Sequence, residues 1–316
     1  MLNIRKIHVP TPYLVGAVNC YLIKDPPYTL IDPGPDWEEG RRGLLAGLGA
    51  ELVHPREIKR VVLSHWHSDH SGLAYWLSEA WGAEIYVHRL DKPRLLPGYS
   101  AYVERMPFLI EAGVPAADID EMLMDRDPLP PAVLPADRVN LLEGGEKLSF
   151  DGGELQVLHM PGHSTGHICL YDAESKAFFG GDFILANITP NPFMAAKPEE
   201  PRERVPVLAQ YLSSLNRMKD MDIRLVLTGH GEDIVDSHAE VTRVLKHRLN
   251  RKDIITGILD GEVKTAYQVM RVLYPGLKGF NVLLGVSEVF AYLDYLELQG
   301  TVSRKVQDNV SYYRLS

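Results

Sequence analysis

Apolar residues in the first three quarters of the chain alternate with polar ones or form short runs that end at glycine or proline. Both patterns are typical of β-strands, because successive side chains of a strand point to opposite faces of a sheet. They predict an antiparallel meander at the start of the chain and hairpins further on, one of them turning at 151–153. The predicted strands, with their turns where two are joined, cover residues 4–9, 17–23, 28–32, 60–64, 83–88, 138–160, 167–185 and 224–230.

Helical spacing of apolar residues occurs between the strands and dominates the end of the chain. It predicts helices at 40–52, 71–80 and 202–218. The stretch from about 93 to 137 combines two helical segments with the proline-rich return DPLPPAVLP, and we interpret it as a helical insertion. Beyond residue 237, three predicted helices precede two strands, a pattern typical of a winged-helix domain. We therefore expect one domain over 1–237 and a second over 238–316.

Composition and charge narrow the class of protein. The 316 residues are 45% hydrophobic and 24% charged, the balance of an ordinary globular protein. The two cysteines, Cys20 and Cys169, lie in apolar runs and are expected to be buried free thiols. Neither a signal peptide nor a membrane-spanning run is apparent, which predicts a cytoplasmic protein with no membrane partner. Residues 1–237 carry 22 Lys and Arg against 34 Asp and Glu, a net charge of −12, which does not favour generic nucleic-acid binding.

The segment VVLSHWHSDHSG contains the most informative pattern of the chain. His65, His67, Asp69 and His70 follow a buried strand directly, so alternate side chains can project from one rigid edge. Three further ligand-type residues also follow predicted strands and have glycine neighbours: His163 in PGHSTGH, Asp182 in GGDF and His230 in TGHG. Histidine and aspartate at four separate strand ends predict a metal site.

Taken in this order, the motifs resemble those of the metallo-β-lactamase superfamily. The turn TLIDPG around Asp32 adds to the resemblance, which covers residues 20 to 231. It implies an α+β fold, an αββα sandwich with a two-metal site at one edge of the β-sandwich. Carried over position by position, one metal would be held by His65, His67 and His163, and the second by Asp69, His70 and His230, with Asp182 between them.

Neutral imidazole and carboxylate groups suit zinc, and also iron or manganese. We expect two zinc ions and a metal-bridging hydroxide as the nucleophile. Asp69 is the candidate catalytic residue, because its carboxylate could take or relay a proton. Asp32 is expected to hydrogen-bond a ligand or a loop backbone. His88, His159 and His167 are interpreted as packing or supporting residues.

The substrate prediction leaves alternatives open. The preferred function is hydrolysis of a small ester, thioester or lactone, similar to the glyoxalase-II-like branch. The C-terminal pattern also resembles the winged helix of lactamase-β-like endoribonucleases, so RNA cleavage is the first alternative, and a metal-containing DNA-binding regulator is the second. The third predicted helix of this region carries acidic residues, whereas basic residues cluster on the first, which favours a small-molecule substrate over nucleic acid.

A homodimer also stays open. Five apolar residues of the insertion either form a lid over the site or seal the insertion: Tyr99, Tyr102, Met106, Phe108 and Leu109.

Overall fold

The computed structural model of the protein describes residues 1–125, 129 and 132–316. Four residues of the proline-rich return predicted at 127–135 lie outside the described residues. The chain forms two compact units, each drawn from three segments. Unit 1 comprises Met1–Tyr99, Pro128–Pro190 and Arg217–Val241, and unit 2 comprises Ser100–Asp127, Asn191–Asn216 and Thr242–Ser316.

Unit 1 contains a six-stranded sheet in the order β1-β2-β3-β4-β5-β6. The first three strands are antiparallel, as the meander predicted, and β3 to β6 run parallel to one another. All residues of β2 and β3 are buried, in keeping with their nearly continuous apolar sequences. The strands are β1 (Ile4–Val9), β2 (Val18–Ile23), β3 (Thr29–Ile31), β4 (Arg60–Val62), β5 (Glu84–His88) and β6 (Val139–Leu142).

A second, five-stranded sheet of unit 1 has the order β11-β10-β9-β8-β7. The turn predicted at 151–153 joins β7 to β8. Tyr21, Ile31 and Val62 of the first sheet share one buried cluster with Leu170 and Phe179 of the second, which confirms the predicted sandwich of two sheets. The strands are β7 (Lys147–Phe150), β8 (Gly153–His159), β9 (Ile168–Asp172), β10 (Ala177–Gly181) and β11 (Leu225–Thr228).

Three helices of unit 1 follow strands of the first sheet: α1 (Glu38–Ala50), α2 (Ser68–Ser71) and α3 (Ala74–Trp81). Helix α1 packs closely on β1, since a Cβ atom on Gly47 would lie only 2.2 Å from Cγ2 of Ile7. Leu44 and Leu48 of the same helix are buried. The short α2 places Asp69 and His70 two and three residues after His67, within one helical turn.

Unit 2 is mainly helical and ends in a three-stranded sheet of order β12-β14-β13. Its helices are α4 (Ala101–Glu111), α5 (Ala116–Met124), α8 (Ala266–Leu273), α9 (Phe280–Leu298) and most of α6 (Val207–Lys219) and α7 (Ser237–Ile258), and its strands are β12 (Lys264–Thr265), β13 (Val302–Gln307) and β14 (Val310–Leu315). Helix α6 begins at Val207, five residues later than the sequence predicted.

The division of the chain differs from the one expected from the sequence. The helical segment predicted as an insertion into the first domain belongs to unit 2, because its apolar side chains lie in the core of that unit. Phe108 and Met122 share a buried cluster with Leu208, Ile255 and Val286. Leu109 lies in the same cluster, so of the five insertion residues considered for a lid, two pack into a core.

Cys20 and Cys169 are buried free thiols, as predicted. No helix among the described residues is both long enough and apolar enough to cross a bilayer. The cytoplasmic location stays a prediction.

Candidate metal centre

The seven residues predicted to bind metal come together where strands of both sheets end. Strands β3 and β4 are parallel, so the residues after them lie at the same edge of the first sheet. Strands β10 and β11 are also parallel and carry Asp182 and His230 directly beyond their ends. The loop after β8 supplies His163, and the loop after β4 supplies the residues from His65 to His70.

A first group consists of three imidazoles: His65, His67 and His163. Nδ1 of His67 lies 2.9 Å from Nε2 of His65 and 3.0 Å from Nε2 of His163. Burial, reinforced by the neighbouring imidazoles, lowers the pKa of His65 well below its ordinary value, so this ring is neutral at pH 7. Three ring nitrogens converge on one point, as a metal ion requires.

A second group consists of Asp69, His70 and His230. Oδ2 of Asp69 lies 3.2 Å from Nε2 of His230 and 3.7 Å from Nε2 of His70. Asp182 borders both groups. Its Oδ1 is 3.4 Å from Nε2 of His70, and its Oδ2 is 3.7 Å from Nε2 of both His163 and His230.

The residues of the site fit a divalent metal ion. Among the described residues, Nε2 of His70, Nε2 of His230 and Oδ1 of Asp182 are buried and make no hydrogen bond of good geometry; their nearest polar neighbours are one another and Asp69, at 3.2–3.4 Å. Three such atoms around one point fit a divalent ion as their partner. Gly229 leaves room for the carboxylate, since a Cβ atom there would lie 2.3 Å from Oδ1 of Asp182.

Supporting residues orient the imidazoles. Nδ1–H of His70 donates to Oδ2 of Asp32 at 2.9 Å, and Asp32 also accepts hydrogen bonds from the backbone N–H of Ser64 (2.7 Å) and its hydroxyl (2.6 Å). The role predicted for Asp32 is therefore confirmed. Nδ1–H of His230 donates to the Ala17 carbonyl oxygen at 3.0 Å. With Nδ1 engaged in this way, the Nε2 atoms of His70 and His230 both face the site.

Asp182 and the histidines around it shift one another's pKa values. Burial raises the pKa of Asp182, but the surrounding histidines, His230 and His70 first, outweigh it and hold the pKa well below its usual value. Burial lowers the pKa of His70, but three carboxylates, Asp182 first, raise it well above its ordinary value. Without a metal ion, His70 is thus protonated at neutral pH.

Metal binding at pH 7 is expected to release about one proton from His70, because a ligand nitrogen must give up its proton to coordinate. His70 has a raised pKa, so its proton stabilises the metal-free fold below the ordinary value of 6.5, and this stabilisation is lost as the pH rises through the raised pKa. Calorimetry in buffers of different ionisation enthalpy measures the release. The variant His70→Gln should release about one proton fewer than the wild type, and equal release by both proteins would contradict the assignment.

Three other histidines lie outside the metal-binding groups identified among the described residues. His167 is buried, and its ring stacks on His65 with centroids 5.1 Å apart. His88 and His159 stack on each other at 4.0 Å. These contacts confirm the packing role predicted for the three residues.

Residues missed by the sequence analysis hold the ligand-bearing loops in place. Nδ2 of Asn19 donates to the carbonyl oxygens of Thr228 and Gly231, both at 3.0 Å, on either side of His230. Asp91 is buried between two of the loops. A signal for Asp91 was available, since it follows β5, the parallel neighbour of β4, but it lacks the glycines that marked the other strand ends.

Two facing sheets with histidine and aspartate side chains grouped at one edge form a mixed α/β fold with a candidate metal centre. A family model described as "Metallo-beta-lactamase superfamily" matches residues 13–230. The chain belongs to this superfamily, as the motifs predicted, and is a metal-dependent hydrolase.

Relatives extend the similarity over the whole chain. A Bacillus subtilis protein named "Probable metallo-hydrolase YqjP" is 33% identical over 317 residues, which cover 99% of this chain and 98% of that protein. Hydroxyacylglutathione hydrolase GloC of Haemophilus influenzae is 31% identical over 55% of this chain and 70% of its own length. The crystal structure of a metallo-beta-lactamase family protein from Thermus thermophilus matches with a TM-score of 0.83 and 25% identity, over 99% of this chain and 98% of that one.

Proposed function

We propose that the protein hydrolyses a small ester, thioester or lactone at a centre of two divalent metal ions. The observation that carries the proposal is the pair of ligand groups with one carboxylate between them. The proposed ligands of the first ion are His65, His67 and His163, those of the second are Asp69, His70 and His230, and Asp182 is shared.

Seven donors exceed what a single tetrahedral ion can use. The two oxygens of Asp182 also face different directions, Oδ1 towards His70 and Oδ2 towards His163 and His230. This geometry supports a shared ligand. Zinc is the proposed metal, and the same donors suit iron or manganese.

Divalent ions at these positions would lower the pKa of a water molecule towards neutrality and polarise the carbonyl group of a substrate. Asp69 is proposed to take or relay a proton. In the metal-free site, burial raises the pKa of Asp69, but His70 and His230 lower it below its usual value overall, so the carboxylate is ionised. Its side chain is 13% exposed, against 0% for that of His70, which leaves it accessible to a substrate.

Charge supports a small substrate. Residues 1–237 carry a net charge of −12, which repels a long polyanion over most of the surface. A single carbonyl or carboxylate group needs only the local field of the site. One relative is named for the hydrolysis of hydroxyacylglutathione, a small thioester, which supports the same class.

The alternative of RNA cleavage receives less support from the second unit. We propose that α7, α8, α9 and the small sheet form a winged helix. Two basic residues of α7 are engaged within the unit, since Arg248 is buried and its guanidinium lies 3.4 Å from the hydroxyl of Tyr292. Arg251 pairs with Glu288 at 3.5 Å. A surface that guides RNA needs unpaired basic side chains, so a small-molecule substrate is the better proposal.

Turnover of thioesters and lactones tests the proposal. We expect the purified protein to hydrolyse at least one member of such a panel, with weak dependence on salt, and to lose this activity on chelation and regain it with zinc. His67→Ala should lose most of the turnover, whereas His54→Ala is the matched control, because His54 is exposed and caps the turn Pro55–Glu57.

Two results would contradict the proposal. One is elemental analysis that finds no metal in the protein and no uptake when zinc is added. The other is efficient cleavage of single-stranded RNA that falls steeply with salt while turnover of small esters stays negligible.

A further inference from the structure

Asp91 lies just beyond β5, and its side chain is completely buried. Its Oδ2 accepts hydrogen bonds from the backbone N–H of Trp66 (3.3 Å) and from the hydroxyl of Ser164 (2.9 Å). Its Oδ1 accepts a hydrogen bond from the backbone N–H of Gly166 at 2.9 Å. One carboxylate therefore joins the loop that follows β4 to the loop that follows β8.

The negative charge of Asp91 is balanced by a neighbouring arginine. Arg94 is nearly buried, and its Nη1 lies 3.7 Å from Oδ1 of Asp91. The same nitrogen donates to the hydroxyl of Thr165 at 3.2 Å, and the guanidinium lies 5.9 Å from the ring centroid of Trp66. Arg94 thus contacts the same two loops as the carboxylate. A buried charge that is paired and hydrogen-bonded in this way holds its partners firmly.

At Gly166, the loop after β8 approaches the carboxylate of Asp91 closely. A Cβ atom at this position would lie 2.6 Å from Cγ and 2.7 Å from Oδ1 of Asp91, and 2.8 Å from its backbone nitrogen. Only glycine allows the backbone to approach so closely.

These contacts lie next in sequence to ligands of the first group. Trp66 lies between His65 and His67, and Ser164 follows His163. His70 and His230 are oriented by different partners, Asp32 and the Ala17 carbonyl oxygen. We infer that Asp91 is a positioning residue for the first metal ion, the one assigned to His65, His67 and His163. The inference rests on the proposed two-metal function.

Metal affinity at each position tests the inference separately from activity. His230→Ala weakens metal binding at the second position, so binding at the first position can be measured alone. His67→Ala weakens metal binding at the first position, so binding at the second can be measured alone. Metal-free proteins are titrated with Co²⁺ and followed by visible absorption and calorimetry. Adding Asp91→Ala should weaken Co²⁺ binding roughly 10–100-fold in the His230→Ala background, the usual cost of losing an outer-shell partner, and change it little in the His67→Ala background.

Asp172→Ala is the matched control. Asp172 is also buried, and it accepts hydrogen bonds from two backbone N–H groups and a serine hydroxyl in the turn between β9 and β10. The Asp172→Ala variant should leave Co²⁺ affinity unchanged in both backgrounds. Asp91→Asn keeps the shape and one acceptor oxygen, so its affinity should lie between those of the wild type and Asp91→Ala.

The inference is overturned if Asp91→Ala leaves Co²⁺ affinity unchanged in the His230→Ala background. It is also overturned if Asp91→Ala weakens Co²⁺ binding equally in both backgrounds, because a purely structural role would have that effect. The two-metal proposal has its own test in the wild type, which should bind two Co²⁺ ions. If the wild type binds a single ion, that proposal fails, and the inference for Asp91 survives only if Asp91→Ala weakens that ion by the same roughly 10–100-fold.

Discussion

Asp182→Ala is expected to lower turnover at least about a hundred-fold, because loss of an outer-shell partner alone typically costs roughly 10–100-fold and Asp182 is proposed to contact both metal ions. Its two oxygens face both ligand groups, at 3.4 Å from His70 and 3.7 Å from His163. The variant should also retain less metal, because the carboxylate between the two groups is removed. Steady-state kinetics on the preferred thioester or lactone, with elemental analysis of the same sample, measures both effects.

Asp182→Asn is the control for shape. It preserves the volume of the side chain and one oxygen, so it should fold normally and still lose most of the turnover, since an amide is a poor metal ligand. Turnover by Asp182→Ala within about two-fold of wild type would show that the carboxylate is not a shared ligand; a two-fold change corresponds to only about 0.4 kcal/mol of transition-state stabilisation.

Arg204→Ala is expected to lower the free energy of unfolding by about 3–5 kcal/mol, because it removes a buried guanidinium and leaves the largely buried carboxylate of Asp294 without its partner. Arg204 forms a bidentate ion pair with Asp294, at 2.9 and 2.7 Å, and contacts Glu111 at 2.6 Å. Its guanidinium also lies 3.7 Å from the ring centroid of Phe290, inside the core of unit 2. Urea unfolding followed by circular dichroism measures the change.

Arg304 supplies the matched control, since it contacts the same Glu111, at 3.2 Å. Its side chain is 37% exposed, and exposed ion pairs contribute little, so Arg304→Ala should cost less than about 1 kcal/mol. Equal losses for the two variants would show that burial does not decide the strength of this network.

Much of the first unit could be predicted from the sequence because its signals are local. The alternation from Ile4 to Val9 predicted the strand that the structure shows, and the turn predicted at 151–153 joins β7 to β8. A period of two residues arises within a single strand, so no knowledge of its neighbours is needed. The candidate ligands were found for a similar reason, since His65, His67, Asp69 and His70 lie within six residues.

The sequence by itself determined the order of strands and helices, the seven residues that converge and the supporting role of Asp32. Only the tertiary structure decided which elements share a core and which carboxylate joins the ligand-bearing loops. The sequence left open whether Phe108 would form a lid or seal the insertion, and it could not show that Phe108 would pack with Val286, 178 positions further along the chain. Asp91 likewise meets Ser164 and Gly166 across 73 and 75 positions. The physical reason is common to both: a pattern shows that a side chain needs a partner, whereas the identity of that partner depends on how distant segments are packed together.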